Sequence, residues 1–489
     1  MTDEHFSRRS ADRVLFRHLS DQACESLHEA SLQILQRTGI RLHLPEAVKL
    51  LERAGGSVEG GDRVYVPSNL VERALSTAPK SITMYDRLGC SAMRLGDDRC
   101  YYGPGSDCLN VIDHRTNEHR KATLQDVVEG VTVCDALPNV DFVMSMFLPT
   151  DIDPGVSDLH QMDVLLNHTT KPIVFVTNDF PNCERVVKMA ETVAGGDDAL
   201  AAKPFCACYI NVTTAMRHNE EALRKLLFLA EKGVPALYIP MVIAGMTGPA
   251  TMAGSMAMLN AGVLAGLVLS QLQRPGAPFV VPGCGLTTLD MKTMVNPYCS
   301  PDAKGVTHAM GHYYGLPVFG LGGASEAKLV DQQAAAEAAL TLMVETINGA
   351  NLIHDLGYLE SGLSGSLAQL AICDEIVGWL DHLIRPLEIN EETLALDLIH
   401  EKGPEGHYVE TDHTMAHFRE HWYPELFERA DFGEWRAQGG KSLGERAAER
   451  IEDILATHEL TCLPEDVARD VRAIVDRAAA GDSVGRDRA

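Results

Sequence analysis

A glycine-rich turn within the stretch VFGLGGASEAKLVDQQAAAEAAL, residues 318–340, joins an apolar strand end to an alanine-rich helix and is a first candidate for chemistry. Free backbone N–H groups at a helix start favour an anion. A dinucleotide-binding fingerprint would need a third glycine where Ser325 stands. The turn therefore predicts either a generic anion cradle at the amides after Gly322 or, more simply, a close turn of small residues.

Two histidine patterns have the spacing of metal ligands. His308 and His312 are four residues apart in HAMGH, but the glutamate that zinc proteases carry in such a motif is absent. A second set, His413, His417 and His421 in HTMAHFREH, is spaced for one helical face. Because helical spacing alone does not make a metal site, we expect no metal at either position.

Eight short apolar segments alternate with helical segments from about residue 100 onwards, and these elements must position any functional side chain. Nearly continuous apolar strands, each followed by a helix, are typical of a parallel sheet covered on its outer face. Eight such units favour an α/β fold of the closed (β/α)8 TIM barrel type. The strand candidates are YYGPGSDCLNVID, FVMSMFL, PIVFVTN, FCACYINV, ALYIPMVIAG, PFVVPGCG, LPVFGLGG and NLIHDLGYL.

The sequence divides into three segments around this barrel. Residues 1–98 predict an N-terminal helical cap with a small β segment, residues 99–385 the barrel, and residues 386–489 a C-terminal helical appendage with a flexible tail. Within the barrel, the T-x-x-D pattern from Thr123 to Asp126 predicts a helix start. The appendage is expected to complete the barrel wall or to form an oligomer contact.

The composition excludes several classes of function. The chain has 68 Asp+Glu against 42 Lys+Arg, and this net charge of −26 argues against a nucleic-acid partner. The start, MTDEHFSRRS, lacks the pattern of a secretion signal, so we expect a cytoplasmic protein. An uncharged run, TMAGSMAMLNAGVLAGLVLSQL, contains Asn260 and many small residues, which favours a buried helix over a membrane span. Twelve scattered cysteines without a CxxC pair indicate reduced thiols.

In a barrel of this type, function belongs to the carboxyl ends of the strands and to the loops that follow. Those segments contain mostly glycine, asparagine, threonine and tyrosine, with few ionisable side chains. Such a rim suits a ligand that is held by shape and hydrogen bonds. It is poorly suited to an elaborate proton relay.

Five long blocks of the chain carry a family pattern: NEHRKATLQDVVEGVTVCDALPNVDFV, TMAGSMAMLNAGVLAGLVLSQLQRPGAPFV, YYGLPVFGLGGASEAKLVDQQAAAEAAL, NGANLIHDLGYLESGLSGSLAQLAICDEIVGWL and GPEGHYVETDHTMAHFREHWYP. They resemble the trimethylamine methyltransferase family of corrinoid-dependent enzymes, and the similarity runs from roughly residue 20 to the 450s. The resemblance implies a TIM barrel that demethylates a methylated amine. The methyl group would pass to the cob(I)alamin of a separate corrinoid-binding protein, so no tightly bound cofactor of the chain's own is expected.

The resemblance also bears on the substrate. Members that use methylamines carry pyrrolysine, and the resemblance places it around Lys328 to Asp331, where this chain has ordinary residues. Members without pyrrolysine include enzymes for quaternary amines such as glycine betaine. A quaternary ammonium is already cationic and leaves as a neutral tertiary amine, so it needs no added electrophile. We therefore expect a small quaternary amine, glycine betaine or a related betaine.

Candidate binding residues follow from the predicted strand ends. Tyr101 and Tyr102 are expected to offer π faces to a trimethylammonium group, or else to pack within a strand. Val330 and Asp331 are expected to line the pocket. The candidate partners for a substrate carboxylate are Asn178, Asn211, Thr213, His354 and the amides after Gly322. No catalytic residue is predicted, because the nucleophile is the cobalt of the cofactor.

Other functions remain open on the sequence alone. Within the family, the alternative is a methyltransferase for trimethylamine or a sulfonium. Outside it, the alternatives are a non-catalytic barrel that binds betaine and a nicotinamide oxidoreductase. We expect a homo-oligomer with no membrane partner.

Overall fold

The computed structural model describes residues 15–481. Its central sheet has seven parallel strands, in the spatial order β1-β7-β6-β5-β4-β3-β2. In chain order the strands are β1 Tyr101–Pro104, β2 Ile173–Phe175, β3 Cys206–Val212, β4 Ala236–Pro240, β5 Phe279–Pro282, β6 Val318–Leu321 and β7 Leu352–Leu356.

An extended segment, residues 141–147, closes the gap between β1 and β2. On one side, the Asp141 N–H donates to Tyr102 O at 2.7 Å. On the other, the Val143 N–H donates to Pro172 O at 2.8 Å, and Val143 bridges to Ile173 in parallel. This segment is the predicted strand FVMSMFL, and with it the eight predicted units close into the expected (β/α)8 barrel.

Eight helices cover the outside of the barrel. They are α1 Leu124–Ala136, α2 Ser157–His168, α3 Phe180–Ala194, α4 Glu220–Lys232, α5 Met252–Gln273, α6 His308–Tyr314, α7 Gln332–Ile347 and α8 Leu367–Ile384. As the T-x-x-D pattern predicts, α1 begins after Thr123, whose N–H donates to the Asp126 carboxylate at 2.8 Å. The uncharged run forms α5. Of its most apolar stretch of 18 residues, 78% is buried inside the fold, as expected of a core helix.

The amino-terminal end of the barrel is closed by a β-hairpin, Ile82–Tyr85 paired with Ser91–Leu95. Met84 and Met93 of this hairpin are fully buried and belong to the same apolar cluster as Phe319 and the other inward residues of the strands. Burial of these side chains leaves the carboxyl-terminal end of the barrel as the open end.

The other N-terminal elements pack beside the barrel. A strand, Ile40–Leu42, pairs in parallel with Arg217–His218 of the loop after β3. This small sheet therefore contains residues of both the predicted cap and the predicted barrel. The remaining elements before β1 are Asp21–Gln33, Ile34–Thr38, Pro45–Ala54, Ser57–Glu59, Arg63–Tyr65 and Ser68–Thr77.

The C-terminal elements are shorter than the sequence predicts. The helix expected across HTMAHFREH ends at His417, so His421 lies outside it and the three histidines do not share one helical face. The elements after α8 are Glu391–Leu394, Leu396–Lys402, Asp412–His417, Phe418–Glu420, Phe432–Ala437, Leu443–Thr457 and Glu465–Ala479. Two short strand pairs complete the fold near the open end, Val242–Ala244 with Leu286–Thr288 and Asn110–Ile112 with His119–Lys121, the latter joined by Ser364–Gly365 and Tyr358–Leu359.

All twelve cysteines are free thiols. Cys206 and Cys208 lie on the outward face of β3 as small buried residues, while Ala207 between them faces the barrel interior. Both thiols therefore pack as small apolar side chains between β3 and the helices outside it.

Candidate active site

A cavity of about 280 Å³ lies at the carboxyl-terminal end of the barrel. Residues from β3, from the ends of β1 and β7, and from the loops after β4 and β5 line it. Its wall contains two carboxylates, three tyrosines, one lysine and one histidine: Asp107, Asp355, Tyr209, Tyr298, Tyr358, Lys304 and His354. This is where a barrel of this type is expected to hold its ligand.

A bulge in β7 brings two consecutive residues to the cavity. Side chains of a regular strand alternate between its two faces, but the register between β7 and β1 shifts after Ile353. Asp355 has a backbone φ of 79°, in the left-handed region. His354 and Asp355 therefore both line the cavity, which is a recognised use of a bulge beside a site.

The His354 ring is held from two sides. Its Nδ1 lies 2.6 Å from Gly320 O, and because a carbonyl only accepts, Nδ1 carries the hydrogen. The ring stacks on Phe319 at a centroid distance of 4.0 Å. Its Nε2 lies 3.3 Å from Asp355 Oδ1, so the histidine presents this atom to the carboxylate in the cavity.

Asp107 reaches the cavity from the loop after β1, also with a left-handed backbone, φ 69°. Gln161 of α2 donates its Nε2 to Asp107 Oδ1 at 3.0 Å and also donates to Phe147 O at 2.8 Å. Burial raises the pKa of both carboxyls, Asp107 and Asp355, although His354 and Lys304 partly oppose this at Asp355. The cavity thus holds two carboxyl groups with little water around them.

The three tyrosines give the cavity its aromatic surface. Burial raises the pKa of Tyr209, Tyr298 and Tyr358, and nearby Asp355 adds to each shift, so all three hydroxyls remain protonated. Tyr209 packs edge-on against Phe319 at 5.4 Å, and the Tyr358 hydroxyl donates to Ser106 O. The ring faces and the two carboxyl groups together form a surface suited to a cation.

A long loop between β5 and α6, residues 283–307, covers one side of the cavity and supplies Tyr298 and Lys304. Glu326 fastens this loop, because its Oε1 accepts the backbone N–H of Tyr298 at 2.6 Å and of Cys299 at 3.2 Å. Lys304 donates to Leu321 O at 2.8 Å. The loop is therefore tied to the segment that follows β6.

Two of the residues predicted from strand ends lie at the cavity. Asn211 of β3 and His354 of β7 both line it. Two others, Asn178 and Thr213, are not among the residues that line it. The Asn178 amide is exposed and donates to Pro154 O at 2.8 Å, and exposed Thr213 donates its N–H to Asn219 at 3.2 Å.

Tyr101 and Tyr102 do not reach the cavity. Tyr101 lies at the closed end, where its hydroxyl accepts the Arg94 N–H at 3.0 Å. Tyr102 faces outward, and its hydroxyl lies 2.9 Å from Thr346 Oγ1 of α7. Side chains of a strand alternate between its two faces, so Tyr101 and Tyr102 point in opposite directions. At this position in β1, neither direction leads to the open end of the barrel.

The glycine-rich turn after β6 is not an anion cradle. The N–H groups of Gly322 and Gly323 donate to His354 O and Thr341 Oγ1, both at 3.0 Å. The helix begins only at Gln332, where the Asp331 side chain caps it by accepting from Gln333 N. Val330 packs on the apolar cluster outside the cavity. Gly322, Val330 and Asp331 are therefore not among the residues that line this cavity, and the glycines form a close turn of small residues.

The HAMGH histidines do not meet at a common site. His308 Nε2 lies 2.8 Å from Glu345 Oε2, whereas His312 Nε2 lies 2.6 Å from Asn348 O. Within residues 15–481, no group of three or more His, Cys, Asp or Glu side chains is arranged to hold a metal ion.

Sequence reasoning missed most of the charged and aromatic cavity wall. The sequence does contain a signal for one of these residues. Tyr209 lies two residues before the predicted site residue Asn211 in β3, so the two side chains are on the same face of the strand. Asp107 and Asp355 lie in the predicted rim, but their inward direction depends on left-handed backbone that the pattern does not reveal. Tyr298 and Lys304 belong to a loop that only the fold brings over the barrel.

Comparison with known proteins identifies the family. The family model described as trimethylamine methyltransferase (MTTB) matches residues 6–482. The chain belongs to the trimethylamine methyltransferase family. This membership confirms the resemblance seen in the sequence, and the protein is a methyltransferase.

Two named relatives show how closely this family member matches others. The trimethylamine methyltransferase MttB of Desulfitobacterium hafniense is 33% identical over 462 residues, which cover 94% of this chain and 93% of the relative. A glycine betaine methyltransferase from another strain of that species is 30% identical over 475 residues, covering 96% and 98%. The two relatives act on different amines, so family membership leaves the substrate to the site.

The solved monomethylamine methyltransferase of Methanosarcina barkeri has the same fold. It superposes with a TM-score of 0.51 at 11% sequence identity and covers 90% of this chain and 89% of its own. A complex of MtmB with hydroxylamine superposes with a TM-score of 0.52 at 12% identity, with the same coverage. At such low identity the likeness concerns the fold alone.

Proposed function

We propose that this methyltransferase moves a methyl group from a quaternary amine, glycine betaine or a related betaine, to the cob(I)alamin of a separate corrinoid protein and leaves a tertiary amine. The observation that carries the proposal is the convergence of Asp107 and Asp355 with three tyrosines on one cavity. A quaternary ammonium has no N–H to donate, so it is recognised by negative charge and aromatic faces rather than by hydrogen bonds. The cavity offers both.

This chemistry requires no proton transfer from the ionisable side chains that line the cavity. A reduced corrinoid, when bound nearby, supplies a strong nucleophile for the methyl group. The amine nitrogen keeps the electron pair of the broken C–N bond and leaves neutral, so the chain need not deliver a proton. The cavity residues then orient the ammonium group and exclude water around it.

The carboxylate of a betaine requires a partner of opposite charge or a donor. Lys304 and Asn211 line the cavity, and both are able to donate to a carboxylate. We assign the ammonium end to Tyr209, Tyr298, Tyr358 and the two aspartates. The carboxylate end then belongs to Lys304 and Asn211, with His354 holding Asp355 in place.

The size of the cavity supports a cofactor that is carried by a partner. A space of about 280 Å³ admits a small amine but not a corrin ring as well. The loops after β4 and β5 expose Met246, Met291 and Met294 to 64%, 63% and 67%. Adaptable methionine surfaces are frequent at binding interfaces. We place the corrinoid protein on these loops, and the reaction in the cytoplasm.

Incubation of the purified chain with chemically reduced cob(I)alamin and a panel of amines tests the proposal. The panel contains glycine betaine, longer betaines, choline, trimethylamine and a sulfonium compound. Loss of the Co(I) absorption with betaines, matched by formation of the demethylated amine, is the expected result. No methyl transfer from any quaternary amine by folded protein contradicts the proposal, and calorimetric binding without transfer favours a non-catalytic betaine-binding barrel.

A second candidate substrate is trimethylamine, which the 33% identity to the MttB relative favours. Trimethylamine lacks a carboxylate, so Lys304 would have no role in its binding. Activity confined to trimethylamine in the same panel, with an unchanged KM in Lys304→Met, selects this candidate instead.

A further inference from the structure

Residues 386–421, here called the arm, form an excursion that does not pack on the apolar clusters of the other described residues, 15–385 and 422–481. Thr411 is the single buried residue within it. None of its apolar residues belongs to the apolar clusters of the described chain or packs against them. Its base is held where Arg385 donates to Glu420 O at 2.8 Å.

The arm nevertheless has definite local structure. Asn390 and Thr411 cap two of its short helices by accepting the N–H groups of Thr393 and Thr414, at 2.9 and 3.2 Å. His417 Nδ1 lies 2.7 Å from Glu420 Oε1. Helices of four to seven residues are not stable by themselves in water. A surface outside the arm must therefore hold them.

The exposed surface of the arm is strongly apolar. Its exposed large apolar side chains are Leu387 84%, Ile389 70%, Leu394 47%, Leu396 54%, Ile399 46%, Tyr408 36%, Val409 75% and Met415 66%. At these fractions they present roughly 800 Å² of apolar surface, more than the roughly 300–600 Å² of the largest patch on a typical monomer. A stable interface buries about 800 Å² on each partner. The arm alone is large enough for such an interface.

A second exposed apolar surface lies on the outer faces of α7 and α8, next to the base of the arm, where Trp379 stacks on Trp422. This surface, here called the strip, consists of Leu340, Met343, Trp379 and Leu383, exposed to 60%, 36%, 48% and 62%. The chain therefore displays both an apolar projection and an apolar receiving surface. In a symmetric assembly, each copy can give its arm to the strip of another copy and receive an arm in return.

The position and charge of the arm exclude other occupants. The arm leaves the carboxyl end of α8, at the closed end of the barrel, whereas a partner that exchanges methyl groups must reach the open end. Acidic side chains far outnumber its two basic ones, Lys402 and Arg419, so an anionic membrane or a nucleic acid is repelled. We infer that the arm of one copy docks on the strip of a second copy of this chain.

Molar mass in solution, measured by light scattering on the eluate of a sizing column, tests this inference. We expect wild type to have the mass of two or more chains at micromolar concentration. Leu387→Asp with Ile389→Asp in the arm, and separately Leu340→Glu with Leu383→Glu in the strip, should each lower the mass to that of one chain. The circular dichroism spectrum should not change, because these side chains are exposed. Phe432→Glu is the matched control, since Phe432 is 68% exposed outside the arm and the strip, and its mass should equal that of wild type.

Mixing the two double variants identifies the pairing itself. The strip variant still has a native arm and the arm variant still has a native strip, so the mixture should contain a two-chain species that neither variant forms alone. A single-chain mass for wild type, or an unchanged mass in both double variants, overturns the inference. So does a mixture without the two-chain species. None of these readouts depends on the methyl-transfer activity, so the inference and the proposed function can fail separately.

Discussion

Asp355 has two features that each cost free energy of folding, a left-handed backbone and a buried carboxyl group. A non-glycine residue in that region costs on the order of 1 kcal/mol or more, and such strain concentrates at functional sites. A purely structural residue would be easily replaced here by glycine or asparagine, both of which adopt this backbone readily. An aspartate at this position supplies a negative charge to the cavity that neither glycine nor asparagine would supply.

Asp355→Asn separates charge from shape at this position. We expect the KM for betaine to rise at least tenfold, because the ammonium group loses a buried counter-charge. The melting temperature should stay the same or rise, since a carboxyl whose pKa is raised by burial is removed. Steady-state kinetics and thermal melting check both. Asp453→Asn, an exposed acid of the helix Leu443–Thr457, is the control and should change neither. A normal KM in Asp355→Asn would remove the carboxylate from substrate binding.

The pH dependence of binding follows from the same carboxyl groups. Their pKa values are raised, so Asp107 and Asp355 become protonated at a higher pH than ordinary aspartates do. The protonated forms do not attract a cation, so the affinity for betaine should fall as pH decreases through the raised pKa values. Calorimetric titrations across pH measure this, and Asp107→Asn should reduce the dependence. Equal affinity in wild type throughout the acid range would contradict a role for these charges.

Gly105 permits the close approach of two cavity groups. A Cβ at this residue would lie 2.1 Å from Asp355 Oδ1 and 2.3 Å from the Tyr358 hydroxyl oxygen. We expect Gly105→Ala to displace both groups and to lower kcat/KM at least tenfold. Gly444→Ala, whose Cβ would meet its first neighbour at 3.5 Å within an α-helix, is the control and should stabilise the protein by about 0.5–1 kcal/mol without loss of activity. Full activity in Gly105→Ala would show that this packing is not required.

At the scale of elements, Glu326 of the segment after β6 holds the middle of the loop of residues 283–307. Glu326→Ala removes the acceptor for Tyr298 N and Cys299 N, which lie 2.6 and 3.2 Å from its Oε1. We expect faster limited proteolysis within this loop and a higher KM, with little change in melting temperature because the barrel core is not touched. Glu326→Gln keeps a carbonyl oxygen at the site and should restore most of the protection. Wild-type cleavage rates in Glu326→Ala would show that the loop is held by other contacts.

The elements were more predictable than the directions of their side chains. Apolar strands followed by helices indicate a parallel barrel because that pattern has few other ways to bury both faces of a sheet. The same alternation fails at the bulge of β7, where His354 and Asp355 both face the cavity. It also says nothing about Tyr298, whose place over the barrel depends on a hydrogen bond from a distant segment. The sequence also did not predict that Tyr101 lies at the closed end, because the hairpin that fills this end comes from the predicted cap.

At the scale of the whole molecule, buried carboxyl groups make the unfolding free energy depend on pH. Their pKa values are shifted in opposite directions, so their contributions have opposite signs. Burial raises the pKa of Asp158 in α2 and of Asp374 in α8 to about 6 each. Burial also acts on Asp126, but hydrogen bonds from Arg120 and Thr123 outweigh it and hold the pKa of Asp126 below its ordinary value. Asp158 and Asp374 therefore stabilise the folded protein when they are protonated. Asp126 stabilises the folded protein when it is ionised.

The sign of each contribution to stability follows from linkage. The folded state holds protons on Asp158 and Asp374 at pH values where the unfolded chain has released them. Their contribution is therefore complete below the ordinary aspartate pKa and is lost as pH rises to about 6, on the order of 3 kcal/mol for each group. The contribution of Asp126 has the opposite sign, since it is present above the ordinary pKa and lost in acid.

Chemical denaturation at several pH values should show Asp374→Asn with a weaker fall in unfolding free energy between pH 4 and 6 than wild type. Asp126→Asn should instead lose the most stability relative to wild type at neutral pH. The same pH profile in all three proteins would mean that neither buried carboxyl group has a pKa that differs between the folded and unfolded states.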